Sequence, residues 1–174
     1  MGPSLGAESL RQGAFSALLA FLFTVGFMVV YYKLSGVNAV VAMIANMLFI
    51  MAAMAGFSAT LTLPGIAGLV LTIGMSVDAN ILILERIREE LKKGRSVRAA
   101  VDAGYANAMS AIIDSNLTTL IAGVVLYQFG SGPIRGFALT LMIGLVANLY
   151  TAIIITRLLF DRFTNYDRAT RLSI

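Results

Sequence analysis

Apolar residues run through this chain in long blocks, and the polar ones collect between the blocks. Residues 12–32, 34–77, 115–134 and 136–156 carry no charged side chain, which gives stretches of 21, 44, 20 and 21 residues. Roughly 20 apolar residues in a helix cross the ~30 Å hydrocarbon core of a bilayer. Three of the stretches fit one crossing each, and the longest fits two if a turn divides it. Ser58-Ala59-Thr60-Leu61-Thr62-Leu63-Pro64-Gly65 supplies that turn, because proline suits the first turn of a new helix and not its interior. The pattern predicts an all-α, polytopic membrane bundle of five transmembrane helices, over about 14–32, 38–57, 64–84, 109–129 and 136–158. The loop Gly130-Ser131-Gly132-Pro133 turns the chain between the last two.

Between the third and fourth spans lies a polar stretch, 85–103. Acid-first pairs stand there at i+3 and i+4: Glu85 with Arg88 and Glu89, and Glu89 with Lys92 and Lys93. Gly94 fits a helix end and Ser96 an N-cap. The stretch is expected to form a helical hairpin in water. Alternating the spans puts Lys33, the six cations of 86–98, and Arg157, Arg162, Arg168 and Arg171 on one side, eleven in all. Arg11 and Arg135 fall on the other. Positive charge marks the cytoplasmic side, so the hairpin and the C-terminal tail 159–174 are expected in the cytoplasm and the N-terminus outside. Phe160, Phe163 and Tyr166 read as interfacial aromatics. No segment before Ala14 resembles a signal or anchor, so a further span and an exported domain are expected to precede Ser4. Residues 1–174 thus read as one transmembrane domain.

Composition sharpens this picture. The chain is 59% hydrophobic and 13% charged, against about 45–50% and 25% in soluble domains, and its mean hydropathy is +0.87. It has no cysteine and no histidine. Disulfides, thiol chemistry and imidazole proton transfer are excluded, and neither a metal nor a cofactor is implied. The net charge of +4 follows from topology and does not point to nucleic acid.

One residue stands against the pattern. Asp78 lies 14 residues after Pro64, roughly 21 Å along a helix and well inside hydrocarbon. A charged Asp at a helix centre costs about 2.5–3.5 kcal/mol on insertion scales, so it faces a bundle interior and either pairs with a cation or stays protonated. Ala67, Leu71 and Gly74 share its face. Two of them are small, so another helix can approach closely. Ser76 and Asn80 follow on a neighbouring strip. Asp114, in Asp114-Ser115-Asn116-Leu117-Thr118-Thr119, is the second acid, and a single polar path through Asp78 and Asp114 is one reading. No cation within the spans is an evident partner for Asp78. Within this chain alone it is expected to be protonated and hydrogen-bonded to a neighbouring helix. Asn46 and Asn148 read as interhelical hydrogen-bond partners, and Arg135 as interfacial.

Several runs resemble one bacterial family. Gly74-Met75-Ser76-Val77-Asp78-Ala79-Asn80-Ile81-Leu82-Ile83-Leu84-Glu85-Arg86-Ile87-Arg88-Glu89-Glu90-Leu91 is similar to the fourth transmembrane helix of the Sec accessory family SecD. Asp114-Ser115-Asn116-Leu117-Thr118-Thr119-Leu120 is similar to its fifth-helix motif. Phe129-Gly130-Ser131-Gly132-Pro133-Ile134-Arg135-Gly136-Phe137-Ala138 resembles the loop and helix start that follow, and 4–13 the link from the periplasmic domain into the second span. The resemblance implies a fold like half of the membrane part of RND transporters, in the bacterial cytoplasmic membrane. It implies an accessory subunit of the Sec translocon that uses the proton-motive force, with no enzymatic activity of its own. The implied partners are SecF, separate or fused, the SecYEG translocon, lipid, and unfolded preprotein through a periplasmic domain that this chain lacks. Asp78 matches the family's proton-transporting acid, and a basic residue of SecF is expected opposite it. Asp114 joins it as a pathway residue, with Ser76, Asn80, Asn116, Thr118 and Thr119 in support. The competing readings are a fragment of an RND-type small-molecule transporter and a membrane scaffold whose buried acids only hold helices together.

Overall fold

The computed structural model describes residues 3–56 and 62–163, which are helical almost throughout, with no strand among them. Helix α1 covers Pro3–Gly56, α2 Leu63–Lys92, α3 Val97–Phe129 and α4 Pro133–Tyr150. A π-helical turn, Thr151–Ile155, carries α4 into the short α5, Thr156–Phe163. Four helices are long and apolar enough to cross a membrane: Leu10–Gly56, Leu63–Lys92, Val97–Phe129 and Pro133–Arg162.

The first of these is not straight. Lys33 leaves helical geometry at φ 50°, ψ −126°, a conformation that costs a residue with a Cβ about 1–3 kcal/mol. The chain doubles back there, so tightly that a side chain on Gly36 would collide with the Met28 carbonyl. Contacts with α2 fix the two arms. Gly13 lies against Ile66, and 19 residues on the Tyr32 hydroxyl donates to Glu85 Oε1 at 3.0 Å. Ile50 and Met54 then return to Leu69 and Ile73. The first arm runs parallel to α2 and the second antiparallel. Arg88 closes the bend by stacking over Tyr31 and Tyr32, 5.0 and 5.4 Å from their ring centres, while bonding Glu85 at 2.9 Å.

Helix α2 is the centre of the bundle and packs on α1, α3 and α4. Thr62 caps it by accepting the Gly65 N–H at 3.2 Å, with Pro64 in the first turn. The turn expected at 58–65 lies partly outside the described residues. Small residues let its neighbours come close, which is how helices gain packing where lipid is as apolar as their side chains. Gly144 meets Thr72, Gly68 meets Thr140, and Gly104 lies on the Ile87 backbone.

The polar stretch 85–103 is made of the last turns of α2 and the first turns of α3. Gly94 takes φ 82° at the turn, and Ser96 accepts from Ala99 N at 3.5 Å. Glu90, 3% exposed, ties this turn together: it accepts from Lys93 at 2.6 Å and Asn107 at 3.4 Å, and forms an ion pair with Arg95 at 2.9 Å. The Lys93 hydrogen bond, and then the charge of Arg95, hold its carboxyl below the usual range against the opposing pull of desolvation. Glu85 pairs with Arg88 as expected, but Glu89 reaches back to Arg86, at 2.8 Å, instead of forward to Lys92 or Lys93. Phe160 is not interfacial: it is 1% exposed and meets Tyr105 edge-on. Beside it Arg157 bonds Asp102 of α3. Tyr166 and the tail beyond 163 lie outside the described residues.

Candidate functional site

The two sides of α2 differ in how their polar atoms are satisfied. On the side turned to α4, Ser76 is buried and donates to Ile73 O at 2.8 Å. Asn80 is buried and donates to Ser76 O at 3.1 Å. The Asn80 Oδ1 accepts the Thr156 hydroxyl at 2.8 Å. Thr156 closes the π-helical turn, its backbone N–H reaching Thr151 O; such turns are one-residue insertions that re-aim the helix after them. Eight residues before Thr156, in α4, Asn148 donates to Met75 O at 3.3 Å. Asn148 is therefore an interhelical partner as expected. The Oδ1 atoms of Asn148 and of Asn46 are both buried without a partner.

Asp78 points the other way. It is exposed, as are Ala67, Leu71 and Gly74 on the same stripe, and nothing lies within 4 Å of a Cβ built on Gly74. Contrary to expectation, no hydrogen bond joins the Asp78 carboxyl to a neighbouring helix among the described residues. Nor does a described cation bond it. Asp78 instead lines a cavity of about 290 Å³ between α2 and α3, with Met75, Ala79, Leu82, Ile112, Ser115, Asn116 and Thr119.

Sequence reasoning named Asn116 and Thr119 as support, and both share this cavity with Asp78. Asn116 is 7% exposed; its Nδ2 donates to Ile112 O at 2.8 Å, and its Oδ1 has no partner. Asp114 and Thr118 are exposed and do not line the cavity. The Thr118 hydroxyl donates to Asp114 O at 2.8 Å, so that pair is local to α3. Ser76 and Asn80 belong to the inner network and not to the cavity. Ser115 and Thr156 were missed. Ser115 was legible as the hydroxyl four residues before Thr119 in the quoted motif; Thr156 had no signal beyond being a hydroxyl in an apolar helix. No three of the described acids converge as a metal site.

An ionisable residue in a helix long and apolar enough to cross a membrane is rare, and it makes Asp78 the candidate functional group of a helical membrane protein. Relatives narrow that class. The family described as "Protein export membrane protein SecD/SecF, C-terminal" matches residues 1–165. The protein translocase subunit SecD of Syntrophobacter fumaroxidans is 53% identical over 174 residues, all of this chain and 33% of that one. The SecD of Anaeromyxobacter dehalogenans is 55% identical over the whole chain and 28% of its own length. The crystal structure of SecDF, a translocon-associated membrane protein from Thermus thermophilus, superposes with a TM-score of 0.92 at 40% identity, covering 97% of this chain and 23% of that one. The chain belongs to the SecD/SecF family. It is a membrane protein that spans about a third of the curated relatives' length.

Proposed function

We propose that this chain is the membrane part of a Sec-translocon accessory subunit that draws on the proton-motive force to assist protein export. Five crossings carry it: the two arms of α1, then α2, α3, and α4 with α5. The turn 93–96 is cytoplasmic and the N-terminus periplasmic, in keeping with eleven cations against two. Asp78 is the proton carrier, and Asp114, exposed on α3, is a second acid of the path toward the cytoplasmic side. The observation that supports this best is the unpaired Asp78 on an open stripe of small residues. A carboxyl there needs a second membrane half, SecF, to cover the stripe and bring a cation opposite it. Each charge moved through 100 mV gains about 2.3 kcal/mol, a drive available to a group that binds a proton on one side and releases it on the other. The test is Asp78→Asn in the full-length protein assembled with SecF. Preprotein translocation into energised vesicles is expected to lose its gradient-dependent part and keep the rest, with Asp114→Asn losing less. Gradient-dependent translocation at the wild-type rate in Asp78→Asn refutes the reading and leaves a scaffold.

A further inference from the structure

The cavity between α2 and α3 has a chemically one-sided wall. Ser115 and Thr119 each own a single hydroxyl hydrogen, and each spends it on its own helix: Ser115 on Ile112 O at 3.1 Å, Thr119 on Ser115 O at 3.0 Å. What they offer the cavity is lone pairs. Asn116 is held by the same carbonyl, at 2.8 Å. A carbonyl can be served only by the amide's NH₂ end, so the Asn116 amide cannot be turned over, and its buried Oδ1 is left as an acceptor without a donor. Opposite these three oxygens stands Asp78. When ionised it too is an acceptor only. Four acceptors around one space do not satisfy one another. Small donors must lie between them.

We infer that this cavity is a water site, in which ordered water donates to Asn116 Oδ1, Ser115 Oγ and Thr119 Oγ1 and links α3 to Asp78. Its volume of about 290 Å³ exceeds several times the roughly 30 Å³ that a water takes up in the liquid, and the site offers the two to four polar partners that a buried water needs. The inference rests on Asp78 being the proton carrier and adds what receives the proton. When Asp78 is ionised, water hydrogens face the carboxylate. When it is protonated, a water lone pair faces its O–H. On release the Asp78 O–H bond breaks and the proton joins that lone pair. The hydronium so formed has three hydrogens to donate, and the wall provides three acceptors.

The test uses the full-length protein with its SecF partner in lipid, and infrared difference spectra between the protonated and ionised states of Asp78, recorded in H₂¹⁶O and H₂¹⁸O. The wild type should show the Asp78 carboxyl stretch together with O–H bands that move with the oxygen isotope. Asn116→Leu should lose at least half of the isotope-sensitive amplitude and keep the carboxyl band. Should that variant fail to assemble, Ser115→Ala with Thr119→Val removes two acceptors and should produce the same loss. A carboxyl band with no isotope-sensitive bands means a dry cavity and overturns the inference while sparing Asp78. Absence of the carboxyl band refutes the proton-carrier reading and the water site with it. A third arm replaces choline chloride by sodium chloride at fixed pH and ionic strength. Unchanged water bands support water as the ligand, and their disappearance assigns the acceptors to an alkali cation instead.

Discussion

Helix α2 has a side that its own chain completes and a side that it does not, and the two use the same kinds of residue. Toward α4, small residues are filled: Gly144 takes Thr72, and Gly68 takes Thr140. The polar side chains that α2 itself sends there are answered, with Asn80 bonded at both ends, although Asn148 Oδ1 of α4 stays without a partner. Toward the outside, Gly74 touches nothing and Asp78 has no bonded partner among the described residues. A buried asparagine with both ends bonded rigidifies a core. An unanswered carboxyl on an open stripe does not stabilise this chain at all. On α2, polarity therefore divides by satisfaction and not by residue type: Ser76 and Asn80 are bonded within the bundle, and Asp78 is left without a bonded partner among the described residues.

The sharpest break of this contrast comes from a filled contact, where α3 lies on α2. A Cβ added at Gly104 would lie 2.8 Å from the Ile87 backbone N and 3.0 Å from its Cα. Backbone cannot swing aside as a side chain can, so α2 and α3 must separate. Gly104→Ala is expected to destabilise the chain by about 3 kcal/mol, the upper end for overpacking, read as a lowered unfolding midpoint in mixed micelles. A shift below about 1 kcal/mol would show that this contact is not close-packed. Next comes Thr156→Val, which strands Asn80 Oδ1 without its donor. The expected loss is about 2 kcal/mol, within the range for an unsatisfied buried acceptor, and Thr156→Ser should restore most of it. Equal losses in the two variants would assign the effect to packing of the methyl group.

Part of this was legible in the sequence, for physical reasons. Asp78 stood out because an ionisable group inside 44 plus following apolar positions has no cheap explanation. Gly94 and Ser96 were legible because turn chemistry is local. The relation of Asp78 to α3 was only half legible. Helical spacing places Asp114, Leu117 and Thr118 on one face, but which face meets α2 depends on packing, and Ser115, Asn116 and Thr119 line the cavity with Asp78 instead. The π-helical turn left no trace, since one extra residue in an apolar helix changes no periodicity that a hydrophobic stretch can display. Phe160 was misread as well. Nearness to a charged tail suggested the interface, while the ring packs edge-on against Tyr105 in the core.

A weaker probe acts at the turn between α2 and α3. Glu90 is held below the usual glutamate range by Lys93 and Arg95. The stability it contributes is then complete above the unfolded value, about 4.3, and is lost as pH falls through the lowered folded value. Amide exchange at Gly94 and Arg95, whose N–H groups bond Leu91 O at 3.0 Å and Glu90 O at 3.4 Å, is expected to be flat from pH 7 to 5, after correction for intrinsic exchange. Below about pH 4 the turn should open. Glu90→Gln should exchange faster at pH 7 and lack the acid transition. An acid transition that survives Glu90→Gln belongs to another carboxyl.

The smallest effect is the most discriminating, because it should change sign with context. Gly74 sits in the interior of α2 on the open stripe, four residues before Asp78. In a helix interior alanine is favoured over glycine by up to about 1 kcal/mol, and no atom of this chain is near enough to resist the added methyl. Gly74→Ala should therefore leave the isolated chain unharmed or raise its unfolding midpoint slightly. In the full-length protein the same methyl would stand between α2 and any helix drawn close over Asp78, so co-purification of SecF should fall although the subunit itself is no less stable. If the isolated chain is destabilised, the stripe is not open. If both stability and assembly are unaffected, whatever covers Asp78 does not approach it across Gly74.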